Sequence, residues 1–133
     1  MGDFNLIQLN ENLEDENDSS QIYLVIYNNI KMLFTGDASK SSEELLLDNY
    51  DIGNIDILKV GHHGSNTSSS EKFIKEINPK ISLISVGKDN KYGHPSKQVL
   101  ENLDNSKIYR TDQDGNVMFT VKNNKLKIET CSP

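Results

Sequence analysis

Short apolar runs alternate with polar segments along the chain, and asparagine, glycine and proline separate them. Two apolar runs, residues 22–27 and 30–34, flank Asn28-Asn29, a pair that suits the positive backbone angles of a two-residue β-turn. The same design recurs between residues 117 and 128 around Asn123-Asn124. The pattern therefore predicts a β-hairpin near each end of the chain.

Between the hairpins, helices and strands are expected to alternate. Ser-x-x-Glu capping boxes at Ser41 and Ser68 predict two helix starts, and Ser96 can cap a third helix. The further strands are expected at residues 4–9, 55–60, 81–86 and 107–110, and the run 81–86 is apolar enough to be buried on both faces. This order predicts an α/β (α+β) fold, with one mixed β-sheet and flanking helices.

The composition is that of one globular domain of 133 residues, with 35% hydrophobic residues and a mean hydropathy of −0.60. No apolar run approaches the ~20 residues of a membrane span, and the first residues do not resemble a signal peptide. A net charge of −6 argues against broad electrostatic binding to nucleic acid, although bound metal ions would change that balance. The lone Cys131 excludes an intrachain disulfide and a cysteine-rich zinc site.

The segment from Asn10 to Ser20 is polar and acidic. One interpretation is a solvated loop between strands, and the other is a tract that attracts metal ions. Of the two interpretations, the solvated loop is the favoured one.

Candidate catalytic residues are concentrated where two expected strands end. Thr35-Gly36-Asp37 comes directly after the first hairpin, and Gly61-His62-His63-Gly64-Ser65 comes directly after residues 55–60. Carboxylate and neutral imidazole are common metal ligands, and two cations about 3.5–4 Å apart can clamp a phosphodiester and generate hydroxide. We therefore expect a carboxylate and an imidazole at one rim of the sheet.

Each of these residues also has a structural interpretation. Asp37 precedes a helix and can cap it or favour its positive end, whereas His62 and His63 can be ordinary loop residues. Adjacent side chains of an extended segment point in opposite directions, so only one of the two histidines is expected to reach a given metal. Ser65 is more typical of a turn or cap than of a nucleophile, because no acid–base pair accompanies it.

The loop from Gly87 to Pro95 carries the remaining polar candidates. His94 is either a turn residue or a substrate contact. Lys88 and Lys91 can steady an anion, and Tyr92 can either pack against the protein or stack on a substrate.

Taken in order, these motifs resemble the metallo-β-lactamase superfamily. Within it they resemble the ComEC-like group, which comprises C-terminal hydrolase domains of DNA-uptake competence proteins and stand-alone relatives. The resemblance covers about residues 20–130, and the combination is specific although no single motif is. The segments that carry it are Phe34-Thr35-Gly36-Asp37, residues 56–65, Ile84-Ser85-Val86-Gly87, residues 90–95 and Tyr109-Arg110-Thr111-Asp112.

The resemblance implies an αββα sandwich with a two-metal site, usually zinc and sometimes manganese, that hydrolyses phosphodiesters. Asp37 matches the bridging aspartate of the family, and His62 matches the histidine of the next motif. His94 and His63 would be catalytic, with His94 near the substrate as a phosphate contact or proton donor. The substrate-binding residues would be Ser65, Lys91 and Tyr92.

One part of the family pattern is missing. The principal histidine motif should precede Asp37, but residues 1–36 contain no histidine. The chain is therefore expected to be a single partial domain over residues 1–133, the C-terminal half of the sandwich, and inactive alone. Two ligands are fewer than the four of a closed zinc site, so the alternatives are a hydrolase completed by the rest of its chain or a partner, and a non-catalytic binding or structural half-domain.

Half a sandwich would leave one apolar sheet face uncovered. We therefore expect self-association into a homo-oligomer through that face. The resemblance also implies a DNA or other phosphodiester substrate and a membrane-anchored parent protein. In such a parent the domain would be extracytoplasmic, whereas a stand-alone relative would be cytoplasmic or secreted.

Overall fold

A computed structural model describes residues 3–10 and 20–132, so most of the acidic segment between Asn10 and Ser20 lies outside the described residues. None of the described helices combines the length and the apolar character needed to cross a bilayer. The strands are β1 (Phe4–Gln8), β2 (Tyr23–Tyr27), β3 (Ile30–Phe34), β4 (Ile57–Lys59), β5 (Ile81–Ile84), β6 (Lys107–Arg110), β7 (Asn116–Lys122) and β8 (Lys125–Cys131). The helices are α1 (Lys40–Asn49), α2 (Glu71–Ile77), α3 (Lys97–Asn102) and the single turn α4 (Thr111–Asp114).

Strands β1 to β6 form one mixed sheet in chain order. β1, β2 and β3 pair antiparallel, whereas β3, β4, β5 and β6 pair parallel. Because parallel strands end at the same edge of a sheet, the segments that come after these four strands meet at one rim. The sheet and its helices confirm the predicted α/β class.

Both predicted hairpins are confirmed. Asn28 and Asn29 adopt φ angles of 47° and 68°, and Asn123 and Asn124 adopt 52° and 59°. Asparagine tolerates this left-handed region better than most residues, which explains its use in both turns. The second hairpin, β7 with β8, forms a separate two-stranded sheet.

The core lies on one face of the six-stranded sheet. Strand register places Leu24, Leu33 and Leu58 in one row across β2, β3 and β4, and all three are buried. Helices α1, α2 and α3 cover this row with apolar side chains that belong to the same cluster. Burial of each large apolar side chain contributes about 1.5–3 kcal/mol to the free energy of unfolding. The helix residues of this cluster are Leu46, Phe73, Ile74, Ile77 and Val99.

The opposite face of the sheet, which we call the open face, lies outside this core cluster. One register row of the open face runs through Tyr23, Phe34, Lys59, Leu83 and Tyr109. These residues are half-buried or exposed, and none belongs to the core cluster. The open face is therefore apolar but incompletely covered.

The open face also corrects one prediction for β5. Ser82 and Ile84 point to the helix-covered side and are fully buried, whereas Ile81 and Leu83 on the open face are half-buried. The expectation that residues 81–86 are buried on both faces is wrong, because helices cover only one side of this strand.

The predicted capping box of α1 is also wrong. Ser39, not Ser41, caps the helix by accepting a hydrogen bond from the Ser42 backbone N–H. Glu43 is 1% exposed, and its carboxylate accepts hydrogen bonds from the backbone N–H groups of Ser69 and Ser70. The buried Glu43 carboxylate therefore joins α1 to the start of α2.

Serine side chains cap the next two helices. Ser70, rather than the predicted Ser68, caps α2 by accepting from the Phe73 N–H at 3.2 Å. Ser96 caps α3 as predicted, by accepting from the Val99 N–H at 3.3 Å. Both α2 and α3 therefore have a side-chain acceptor for one of their unpaired N–H groups.

Candidate functional site

The turns at the ends of β3 and β4 are in direct contact at the rim. The His62 N–H donates to the Gly36 carbonyl oxygen at 2.9 Å. A Cβ on Gly61 would lie 2.8 Å from Thr35 Oγ1, so only glycine permits this approach. Asp37 is exposed beside this contact. The structure thus brings the carboxylate-bearing turn and the histidine-bearing turn to one edge, as the sequence predicts.

The two histidines lie in a left-handed turn. His62 has φ 47° and His63 has φ 54°, within the 3₁₀ turn Gly61–Gly64. The expectation that the two side chains point in opposite directions assumed an extended segment. That assumption is wrong, because both histidines lie in a turn. Left-handed geometry costs about 1–2 kcal/mol for each non-glycine residue, and such strain is typical of functional turns.

One nitrogen of each imidazole is occupied. His62 Nδ1 is hydrogen bonded to Thr67 Oγ1 at 3.0 Å. His63 Nδ1 donates to the Ser85 carbonyl oxygen at 2.6 Å, so its proton is on Nδ1. The Nε2 atoms of both residues have no hydrogen-bond partner among the described residues. A ring fixed through Nδ1 presents Nε2 to a ligand, which is the usual arrangement of a metal-binding histidine.

Ser65 lies beneath the histidine turn. It is 5% exposed, and its Oγ lies 3.1 Å from Thr67 Oγ1 and accepts from the Thr67 N–H at 3.3 Å. Thr67 in turn contacts His62. Ser65 therefore orders the segment that holds the His62 ring.

The loop with His94 is fixed from within. Asn90 Oδ1 accepts from the His94 N–H at 2.9 Å, and Asn90 Nδ2 donates to the His94 carbonyl oxygen at 2.8 Å. The His94–Pro95 peptide bond is cis, and the Ser96 N–H donates to the Gly64 carbonyl oxygen at 2.9 Å. The bond from Ser96 to Gly64 joins the loop to the histidine turn.

Three rings lie in succession at the rim. The centroids of His62 and His94 are 6.2 Å apart, with the rings tilted by 56°. Tyr92 stacks on His94 with centroids 5.8 Å apart and an interplanar angle of 18°. Tyr92 is 82% exposed, which excludes the alternative that it packs into the protein. Lys91 is exposed beside it.

Lys59 is a residue of the site that the sequence pattern did not single out. It ends β4 on the open face, between Phe34 and Leu83, and its Nζ donates to the Val60 carbonyl oxygen at 3.2 Å. Burial lowers the pKa of Lys59, and the negative charge of Asp37 opposes that shift. The sequence feature that could have identified Lys59 is its position as a charged residue within an apolar strand.

The end of β6 is held beside the same rim. Thr111 Oγ1 accepts from the Val86 N–H at 2.8 Å and donates to the Val86 carbonyl oxygen at 2.9 Å. Arg110 Nη2 lies 2.6 Å from Asp112 Oδ2, and this hydrogen-bonded ion pair lowers the pKa of Asp112. Both motif residues, Thr111 and Asp112, therefore stabilise the strand end.

The donor set is incomplete for a metal site. Across residues 3–10 and 20–132, no group of three or more histidine, cysteine, aspartate or glutamate residues can hold a metal ion. Cys131 is exposed at the end of β8. Asp37 and His62 are of the right chemical type, but alone they do not fit a closed zinc site, which takes about four ligands.

Comparison with known proteins identifies the family. The model of the "Metallo-beta-lactamase superfamily" matches residues 9–88. The chain is 37% identical over 110 residues to ComE operon protein 3 of Bacillus subtilis (strain 168), covering 81% of this chain and 14% of that protein. It is 34% identical over 119 residues to Competence protein ComA of Neisseria gonorrhoeae. That match covers 86% of this chain and 17% of the relative.

A third relative has a similar identity and a similar coverage. Recombination protein 2 of Haemophilus influenzae is 34% identical over 116 residues, which cover 86% of this chain and 14% of the relative. The chain therefore spans less than a fifth of the length of the curated relatives it matches. With the mixed sheet and the Asp37–His62 rim, these similarities assign the chain to the metallo-β-lactamase superfamily, in the ComEC-like competence group.

Proposed function

We propose that the chain is part of a metal-dependent hydrolase domain that acts on phosphodiesters, and on DNA in a competence-type uptake system. The hydrogen bond from the His62 N–H to Gly36 carries this proposal, because it places Asp37 and His62 at one rim. The names of two relatives, a competence protein and a recombination protein, support a role with DNA.

The proposed roles rest on the geometry of the rim. Asp37 and the Nε2 atom of His62 would be two ligands of the metal, zinc or alternatively manganese. His63 and His94 would act on the substrate, because the His62 and His94 rings are neighbours and His63 Nε2 has no hydrogen-bond partner among the described residues. The exposed Lys91 would contact substrate phosphate.

The remaining ligands would come from outside the described residues. On this proposal, residues 1–133 are a partial domain, the C-terminal half of the sandwich, within a membrane-anchored parent that displays it outside the cytoplasm. The open face of the sheet supports this proposal, since it lies outside the core cluster and is apolar.

A second candidate function is a non-catalytic binding or structural half-domain. The observation that favours it is the absence of a three-ligand group among the described residues. In that case Asp37 would only favour the start of α1, and the histidine turn would be a binding surface without catalysis.

Two measurements separate these functions. The wild-type chain and Asp37→Ala are reconstituted with zinc or manganese, and metal content and hydrolysis of single-stranded DNA are measured. Asp48→Ala, at an exposed position in α1, is the matched control. Metal content that falls only in Asp37→Ala supports the hydrolase domain, even if the chain alone does not cleave DNA. Equal metal content in all three proteins favours the half-domain.

A further inference from the structure

Tyr92 is the most exposed of the large apolar side chains at the rim. It is 82% exposed, so its ring contributes little to the core. One face of the ring lies on His94, with centroids 5.8 Å apart and an interplanar angle of 18°. The other face is left to solvent. A ring that lies at a candidate site with one face free can stack on a planar ligand.

Hydrogen bonds within the loop hold the residue on which this ring stacks. Asn90 bonds the His94 N–H and the His94 carbonyl oxygen, which fastens the loop at the residue under the Tyr92 ring. The next residue, Pro95, lies against Gly64 of the histidine turn, where an added Cβ would be 2.5 Å from Pro95 Cβ. The Tyr92–His94 stack therefore has a defined place beside His62.

Positive charge lies in the same loop. Lys88 and Lys91 are exposed, and neither forms an ion pair with a carboxylate of the described residues. Asp89 is the one carboxylate between them, so the loop carries a small net positive charge in a chain of net charge −6. An aromatic ring with flanking lysines is the arrangement that binds single-stranded nucleic acid, where bases stack and phosphates meet cations.

We propose that Tyr92 is a nucleobase-stacking site: its free face receives an unpaired base, and the adjoining phosphate runs past His94 toward His62. This inference rests on the proposed function and sharpens it, because it makes single-stranded nucleic acid the preferred substrate class. Stacking on aromatic side chains tolerates any base, so no sequence preference is expected.

The test compares two probes of equal length and charge. One is a 12-residue oligothymidylate, and the other is a 12-residue abasic phosphodiester, each labelled for fluorescence anisotropy without metal. Tyr92→Ala should weaken binding of the oligothymidylate roughly 5- to 150-fold, the range found for single stacking contacts, and leave the abasic probe unchanged. Tyr92→Phe should bind as the wild type does, because it keeps the ring.

Tyr50 provides the matched control. It comes directly after α1, which runs from the rim back along the sheet, and it is 37% exposed. Tyr50→Ala should leave the affinity for both probes unchanged.

Three outcomes would overturn the inference. The first is an equal loss of affinity for both probes in Tyr92→Ala, which would mean that Tyr92 only positions the loop. The second is no loss with either probe, and the third is a wild-type chain that does not bind the oligothymidylate more tightly than the abasic probe. Because no hydrolysis is measured, an inactive chain would bear on the proposed function and not on this result.

Discussion

Gly64 lies against Pro95, and this contact joins the histidine turn to the loop that carries His94. A Cβ added to Gly64 would be 2.5 Å from Pro95 Cβ and 2.9 Å from Pro95 Cα, and Gly64 has φ +81°. Both the close approach and the left-handed backbone require glycine. The relative position of His62 and His94 therefore depends on one residue without a side chain.

The first prediction concerns this contact. Gly64→Ala should lower the free energy of unfolding by about 2–4 kcal/mol, from left-handed strain together with overpacking. Gly87→Ala is the matched control, because a Cβ there meets no atom within 4 Å. Denaturant unfolding monitored by circular dichroism measures both. A similar stability for the two variants would contradict the proposed packing of the two motifs.

The second prediction concerns the buried Glu43 carboxylate. Glu43→Ala should destabilise the chain by about 2–4 kcal/mol, because it leaves the Ser69 and Ser70 N–H groups without their acceptor and opens a cavity. Glu44→Ala, at the neighbouring exposed position, should change stability by less than about 0.5 kcal/mol. Equal unfolding midpoints for the wild type and Glu43→Ala would show that the contact between α1 and α2 contributes nothing to the free energy of unfolding.

The third prediction concerns acid stability. The Arg110 guanidinium holds the pKa of Asp112 below its ordinary value of 3.8. The folded pKa is therefore below the unfolded one, so this stabilisation is present above pH 3.8 and is lost as the pH falls through the lowered pKa. Asp112→Asn should be less stable than wild type by about 1–2 kcal/mol at neutral pH.

The pH dependence of this difference is the diagnostic. The gap between wild type and Asp112→Asn should be constant above about pH 5 and shrink below pH 3.8. Asp48→Asn, at an exposed position, controls for the loss of one carboxylate. A gap that stays unchanged down to the acid transition would exclude the ion pair as its cause.

Much of the fold could be predicted because its signals are local. Asn28-Asn29 and Asn123-Asn124 set the hairpins, and the apolar runs predicted β3, β4 and β5 in the right order. Part of the site could also be predicted from local sequence, since Asp37 and His62 each come just after a parallel strand. A segment at the carboxyl end of a parallel strand reaches the same rim as its neighbours, whatever the rest of the chain does.

The features that the sequence did not predict depend on contacts between residues that are distant in the chain. The motif Ser41-x-x-Glu44 fits a capping box, but Ser39 caps α1. The neighbouring Glu43 carboxylate accepts from two N–H groups at the start of α2, a contact between distant residues that the local pattern does not indicate. The left-handed turn at His62 and His63 was not predicted, because positive φ angles are uncommon for non-glycine residues and the apolar pattern does not encode them. The role of Asn90 depends on a loop closure that periodicity does not encode.

The fourth prediction concerns the open face. Leu6 and Phe34 are 58% and 40% exposed there, and an apolar sheet face of this kind favours association of two copies. The wild-type chain should self-associate, and Leu6→Lys with Phe34→Lys should weaken association at least ~10-fold, which is about 1.4 kcal/mol. Light scattering across a concentration series measures this, with Tyr50→Lys as the control. A wild-type chain that stays monomeric at high concentration would contradict the prediction.

The most direct test of the metal site uses the three histidines as separate reporters. Manganese broadens the NMR signals of nearby nuclei, so the imidazole resonances of His62, His63 and His94 can be monitored during a titration. We predict that His62 broadens first in the wild type and that Asp37→Ala abolishes this selectivity. Equal broadening of all three histidines, or an unchanged response in Asp37→Ala, would contradict the assignment of Asp37 and His62 as metal ligands.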